Sequence, residues 1–254
     1  MENNFNYSEI PNGHYDDIYH HDHGMRGFWH WSKFETVKKM VIDHQLHSRR
    51  ILDIGCFSGT FLGTLSERDF AYQLGVDILE SQIHYARKKY CTNFREFAKF
   101  DHLDNICTSQ GEALFDVVTV IEVIEHLRAE EITALLKSIH RLLRPGGDLI
   151  ITTPNYFSLW PLLEYYLNRF SDISYKEQHI TKFTYLNFEK KLSTIMQGDL
   201  KSLYALEMMT TSHLITPFIA KIHYPLAKKL ATIIKARHWK IGIGPLLVVK
   251  LQRR

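Results

Sequence analysis

Ile121-Glu122-Val123-Ile124-Glu125-His126-Leu127 holds two carboxylates and an imidazole within a few residues. On a helical turn Glu122, Glu125 and His126 share a face, because three- and four-residue spacings do so. Such a face can hold a divalent cation, with His179 as a fourth ligand from the loop Glu177-Gln178-His179-Ile180-Thr181-Lys182-Phe183. Oxygen and imidazole ligands suit Mg²⁺, Mn²⁺ or Zn²⁺ without deciding among them. The alternative is metal-free: His126 lines a pocket, positions a substrate and takes its proton.

A second stretch has the form of a ligand site. Arg50-Ile51-Leu52-Asp53-Ile54-Gly55-Cys56-Phe57-Ser58-Gly59-Thr60 begins as a buried strand, passes through small residues and enters an apolar-periodic helix start. Gly55 and Gly59 would let backbone N–H groups approach a ligand, and the helix start favours its negative groups. Asp53 could hold the turn or contact a ligand amine. Ala71-Tyr72-Gln73-Leu74-Gly75-Val76-Asp77 reads as a second strand ending in an acid, roughly 20 residues on, the usual device for holding ribose hydroxyls. The Gly-x-Gly-x-x-Gly of dinucleotide sites is absent.

These motifs resemble those of class I S-adenosylmethionine-dependent methyltransferases. The family pattern, acid-x-Gly-x-Gly-x-Gly, is matched at Asp53, Gly55 and Gly59. It is broken at Phe57, where a side chain must point away from the cofactor or narrow its methionine end. Leu143-Arg144-Pro145-Gly146-Gly147 and Thr153-Pro154-Asn155 extend the likeness from about residue 50 to about 155. The resemblance implies a cofactor site formed by Asp53, Gly55, Cys56, Phe57, Gly59, Asp77, Ile78, Asp101, His102 and Glu122, with Asp101 reaching the adenine amine. Glu122-x-x-Glu125-His126 with the distant His179 looks like the metal site of small-RNA 2′-O-methyltransferases, and similar sets occur in ubiquinone-pathway O-methyltransferases. The latter are the nearest in motifs.

Alternating strands and helices over 50–153 imply a doubly wound, Rossmann-like α/β sheet of about seven strands, with helices on both faces. Residues 31–47 read as a helix, 80–90 and 128–143 as two more, and 94–100, 115–121 and 148–153 as strands. Segments 203–210 and 246–251 form the last strands, an antiparallel pair in the resembled family. Residues 1–48 read as an arm and cap helix, and 49–254 as the main domain, with insertions at about 156–180 and 213–240. His14, Tyr15, His20, His21, His23, Trp29 and His30 make an aromatic, histidine-rich cap. A zinc site there lacks both helical spacing and cysteine partners, which favours a cap over the cofactor cleft. Arg26 could pair with the cofactor carboxylate or lie on the surface.

The chain has 254 residues, enough for one large core. Cys56, Cys91 and Cys107 show no metal-type pairing, and their odd number argues against a disulfide framework. A cytoplasmic protein, free of an export signal, is the expectation. After Glu207 there is no acidic residue but nine lysines and arginines. Subtracting those nine from the net charge of +3 leaves −6 for the rest. The insertion 213–240 is both apolar and basic, a pattern that suits a helical lid or a peripheral membrane contact. The leading functional reading is O-methylation of a small-molecule or lipid- or saccharide-linked acceptor. Metal-dependent RNA 2′-O-methylation ranks below it, because no RNA-binding module is recognisable and most of the chain is acidic. A non-catalytic cofactor-binding partner protein is the third reading.

Overall fold

The computed structural model describes residues 9–43, 48–100, 114–170, 179–233 and 242–254. Asp101 and His102 lie outside them. Among the described residues a seven-stranded sheet forms: β1 Arg50–Ile54, β2 Tyr72–Asp77, β3 Arg95–Lys99, β4 Phe115–Ile121, β5 Leu143–Pro154, β6 Tyr204–Ser212 and β7 Leu246–Arg253. The spatial order is β3-β2-β1-β4-β5-β7-β6. β1 to β5 are mutually parallel, and β7 runs antiparallel to both β5 and β6.

The apolar runs form central strands because both faces of the sheet are covered. Alternate residues supply two separate cores. Leu52, Val118, Ile151 and Val249 pack on one side with Ile132, Leu136 and Ile139 of helix α5, Ala129–Leu142. Leu192 of α7, Phe188–Ile195, joins the same core. Ile51, Val117, Ile150 and Val248 face the opposite side. There they meet α2, Met25–Val41, through Val37 and Val41, α4, Glu80–Tyr90, through Ile83, and α6, Trp160–Phe170, through Trp160 and Leu163. In α5 the buried positions fall at helical spacing. Glu130 and Glu131 occupy its first turn and His140 and Arg141 its last, matching the helix dipole.

The cap is larger than expected. Helix α2 starts at Met25, not near residue 31, and follows α1, His14–His21. Gly27 sits in the corner between them, where a Cβ would lie 1.7 Å from the Asp22 carbonyl oxygen. The residue that reads as a helix breaker is the one the close approach requires. Asp16 of α1 is fully buried and pins the cap: it accepts hydrogen bonds from Thr60 Oγ1 at 2.8 Å, Tyr85 at 2.9 Å and Tyr90 at 2.5 Å, and pairs with Lys89. The histidine-rich stretch is absorbed into such contacts, with His20 Nε2 3.0 Å from the Tyr90 hydroxyl and His23 against the Tyr224 ring. β5 also begins earlier than expected. Phe115 pairs with Leu143 and Val117 with Asp148, so residues 144–147 bulge from the strand instead of preceding it.

The chain passes from β3 at one edge back to β4 beside β1, so the order reverses between β1 and β4. Ligands of doubly wound sheets bind at that crevice. Short helices α3, Thr60–Gly63, and α8, Leu200–Leu203, flank the sheet. Segment 213–233 forms α9, Thr216–Ile222, and α10, Tyr224–Ile233, with Pro217 and Pro225 in their first turns. They pack Ala220 and Ala227 on Phe28 of α2. No helix among the described residues is long and apolar enough to cross a membrane.

Candidate active site

The turn after β1 is shaped by backbone that few side chains tolerate. Gly55 has φ 73° and Gly59 φ 76°. A Cβ on Gly55 would lie 2.4 Å from Val123 Cγ2, on the loop after β4. The two loops at the switch point therefore touch, and glycine makes room for the contact. Phe57 is also left-handed, at φ 46°. That costs a non-glycine residue about 1–2 kcal/mol. Its N–H donates to Asp77 Oδ2 at 2.9 Å, and its ring lies 4.9 Å from that of Tyr15. The Phe57 side chain thus leans on the cap at the cavity wall.

Asp77 ends β2. Besides Phe57, it accepts the Leu79 N–H on Oδ1 at 2.9 Å. One carboxylate ties the glycine turn to the entry of α4. Burial raises its pKa against the pull of these N–H donors. Ile78 follows at the rim, mostly exposed. Cys56 is buried, and burial, with the Asp53 carboxylate nearby, pushes its thiol well above the usual range. It packs the turn and is no nucleophile.

Asp53 faces Thr119 across the β1–β4 register, and Thr119 Oγ1 donates to Asp53 Oδ1 at 2.6 Å. Burial raises the Asp53 carboxyl to about 7, against that hydrogen bond. An acid with a folded pKa above its unfolded one leaves the native state holding more protons in between. Stability then falls as pH rises from about 4 to about 7, by up to ~4 kcal/mol. Asp53→Asn is expected to flatten this slope in urea denaturation curves taken across that window.

The loop after β4 departs from the expected helix. Glu122 has φ 53°, and only Ile124–His126 forms a single tight turn. Glu122 faces α2, where it pairs with Lys33 and accepts the Trp29 indole N–H at 2.9 Å. Burial opposes its ionisation, but the Lys33 ammonium and the Trp29 indole N–H hold the carboxyl down at about 2. His30 is kept neutral by burial and by Lys33. This corrects the four-ligand expectation: Glu122 braces the cap against the sheet and stands outside the ligand cluster.

Glu125, His126 and His179 do converge. One ligand atom from each lies within 4.8 Å of the others. Glu125 is 1% exposed, and among the described residues neither carboxylate oxygen has a hydrogen-bond partner. Burial raises its pKa to about 7, against the attraction of His179. His179 is oriented from behind: its Nδ1 is 2.7 Å from the Tyr156 hydroxyl and 3.2 Å from Glu164 Oε1. Those contacts engage Nδ1 and leave Nε2 for the site. The rings of His126 and His179 are 5.1 Å apart. Among the described residues no other such group of His, Cys, Asp and Glu gathers.

These walls enclose a cavity of about 750 Å³. The turn after β1, Asp77 and Ile78 line it, together with Glu122, Val123, Glu125, His126, Leu127 and His179. Tyr15, Arg26, Trp29 and His30 of the cap, with Trp160 and Leu163 of α6, close it. Arg26 Nε also lies 3.4 Å from Asp22. Residues 28–201 match the methyltransferase-domain family, a span of well over half the chain. The chain belongs to the class I S-adenosylmethionine-dependent methyltransferases.

The ubiquinone biosynthesis O-methyltransferase of Idiomarina loihiensis is 31% identical over 110 residues, 43% of this chain and 44% of that protein. The chain thus aligns with less than half the length of such relatives. A Pyrococcus horikoshii protein of known structure superposes with a TM-score of 0.62 at 18% identity, over 99% of this chain and 100% of its own. A Mesorhizobium loti S-adenosylmethionine-dependent methyltransferase does so at 0.55 and 16%, over 86% and 96%. At such identities the likeness speaks for the fold. The residues of this site that the sequence did not single out are Lys33, Tyr156 and Glu164. Lys33 had one signal: a lysine four residues after Trp29 and beside Phe34, on a helix whose apolar positions face inward.

Proposed function

We propose that the protein transfers the methyl group of S-adenosylmethionine to a hydroxyl oxygen of a small or lipid- or saccharide-linked acceptor. The observation that carries this reading is that His126 lines the same cavity as the glycine turn and Asp77, and stands beside Glu125 and His179. The donor fits the wall that the turn and Asp77 form. Left-handed Gly55 and Gly59 shape the turn there, and the Asp77 carboxylate stands at the end of β2 to receive ribose hydroxyls. The sulfonium supplies an already activated methyl, so alignment is most of the protein's task.

His126 accepts the acceptor's hydroxyl proton while the oxygen lone pair takes the methyl carbon. The carbon–sulfur bond breaks, and its electron pair stays on sulfur as a neutral thioether. The apolar and aromatic side chains of the cap and α6 exclude water and hold the acceptor in line. A phenol, with a pKa near ~10, needs only an imidazole base. A sugar hydroxyl is a weaker acid and would gain from a bound cation.

Glu125, His126 and His179 could hold such a cation, as the paired absence of partners on the Glu125 oxygens suits. A bound cation would lower an acceptor hydroxyl's pKa. Glu125→Gln is expected to raise the melting temperature of the metal-free protein, since it removes an unpaired buried acid. The same change should abolish the melting shift that millimolar Mn²⁺ or Zn²⁺ gives the unaltered protein. A shift that survives in Glu125→Gln would remove Glu125 from any cation site. The reading as a whole is tested by a screen with methyl-labelled donor against phenolic, lipid, saccharide and RNA acceptors, with and without chelator. Label appearing only on nitrogen or carbon would overturn oxygen as the methylated atom.

A further inference from the structure

Among the described residues, the large exposed hydrophobic side chains concentrate in the two insertions. Leu162 and Tyr165 of α6 are 59% and 70% exposed, and Ile222 and Ile233 of the α9–α10 pair 90% and 64%. The insertions adjoin in space: Phe157 and Leu159, just before α6, share a shallow groove with Leu214 and Ile215, just before α9. Helix α10 carries apolar residues on two faces. Ala227 faces inward against Phe28, while Leu226 and Ile233 point to solvent. Exposed apolar area shared by neighbouring elements marks an interaction surface.

Charge identifies the kind of partner. From Met208 to the C-terminus there is no acidic residue. Lys221 and Lys229 are exposed on α9 and α10, Arg169 is exposed on α6, and Lys228 lies over the Trp31 and Tyr224 rings at 4.7 and 4.9 Å. Apolar side chains flanked by lysines and aromatic rings, on short helices side by side, suit the headgroup layer of an anionic bilayer. One of these elements walls the cavity, since Trp160 and Leu163 of α6 line it, and α10 packs on α2, which contributes Trp29 and Lys33.

We propose that α6, α9 and α10 form a peripheral docking surface for an anionic lipid bilayer, placing the cavity beside the membrane. The surface rests on its own observations and stands whichever atom the enzyme methylates. The test is flotation of the full chain with vesicles of phosphatidylcholine alone and with about one third phosphatidylglycerol. The protein is expected to float with the anionic vesicles at least ~10-fold more strongly than with the neutral ones, and less so in high salt. Leu162→Glu combined with Ile222→Glu and Ile233→Glu should lower that partition ~10-fold or more, with S-adenosylmethionine binding unchanged. Should the triple variant not fold, Lys221→Glu with Lys229→Glu is expected to erase the preference for anionic vesicles. A protein that stays unbound beside anionic vesicles overturns the proposal, and so do variants that float equally well. A dimer in sedimentation that the triple variant dissolves, without vesicle binding, would assign the face to a second copy of the chain instead.

Discussion

Asp77→Ala is expected to weaken S-adenosylmethionine binding by about 100-fold or more. Two hydroxyls donating to one carboxylate are hydrogen bonds to a charged group, each about 1.5–3 kcal/mol. Their joint loss corresponds to roughly 10²–10⁴ in affinity, at 1.4 kcal/mol per tenfold. The structure adds a second reason. Asp77 also accepts the Phe57 and Leu79 N–H groups, so the alanine variant releases the glycine turn from α4. Left-handed Phe57 then loses the contact that holds its backbone in place. Asp77→Asn keeps a side-chain acceptor but surrenders the charge, and should fall between the two. Calorimetric titration with S-adenosylmethionine measures all three. Affinity within about threefold of the unaltered protein in Asp77→Ala would place the donor elsewhere.

The donor half of this site was legible because its signals are local. A buried parallel strand is a continuous apolar run, and the turn after it needs glycine at fixed points. Spacing marks Asp53, Gly55, Gly59 and Asp77; Asp53, Gly55 and Asp77 line the cavity, and Gly59 stands at the entry to α3. Glu122 was misassigned for the opposite reason. Its side chain direction depends on a left-handed residue at the end of β4, and its partners Lys33 and Trp29 sit about 90 positions earlier. Helical periodicity cannot express that geometry. The same holds for Tyr156 and Glu164, which matter only because they meet Nδ1 of His179. The breaks in the 213–233 segment were readable from Pro217 and Pro225. Its docking on Phe28 was not, because alanines at 220 and 227 look like any helix residue until a partner fills the space.

His126→Ala should separate binding from chemistry. His126 stands in the loop after β4 and Asp77 at the end of β2, so donor affinity should stay within about threefold, while methyl transfer to a hydroxyl falls ~10²–10⁴-fold. The size of the loss, compared with that in Glu125→Gln, distinguishes the two roles open to the imidazole. If His126 works alone as a base, Glu125→Gln leaves most of the rate, and chelator has no effect on either protein. If the three side chains act through one cation, each single change removes nearly the whole advantage. The double variant is then no slower than the singles, because groups acting as a unit are strongly non-additive. Tyr156→Phe sharpens the comparison. It removes one of the contacts that fix the His179 ring. It should slow the reaction only where His179 contributes, and leave a reaction that depends on His126 alone unchanged. A His126→Ala enzyme that retains full rate on an oxygen acceptor would remove this histidine from the mechanism, and would leave the donor site as described.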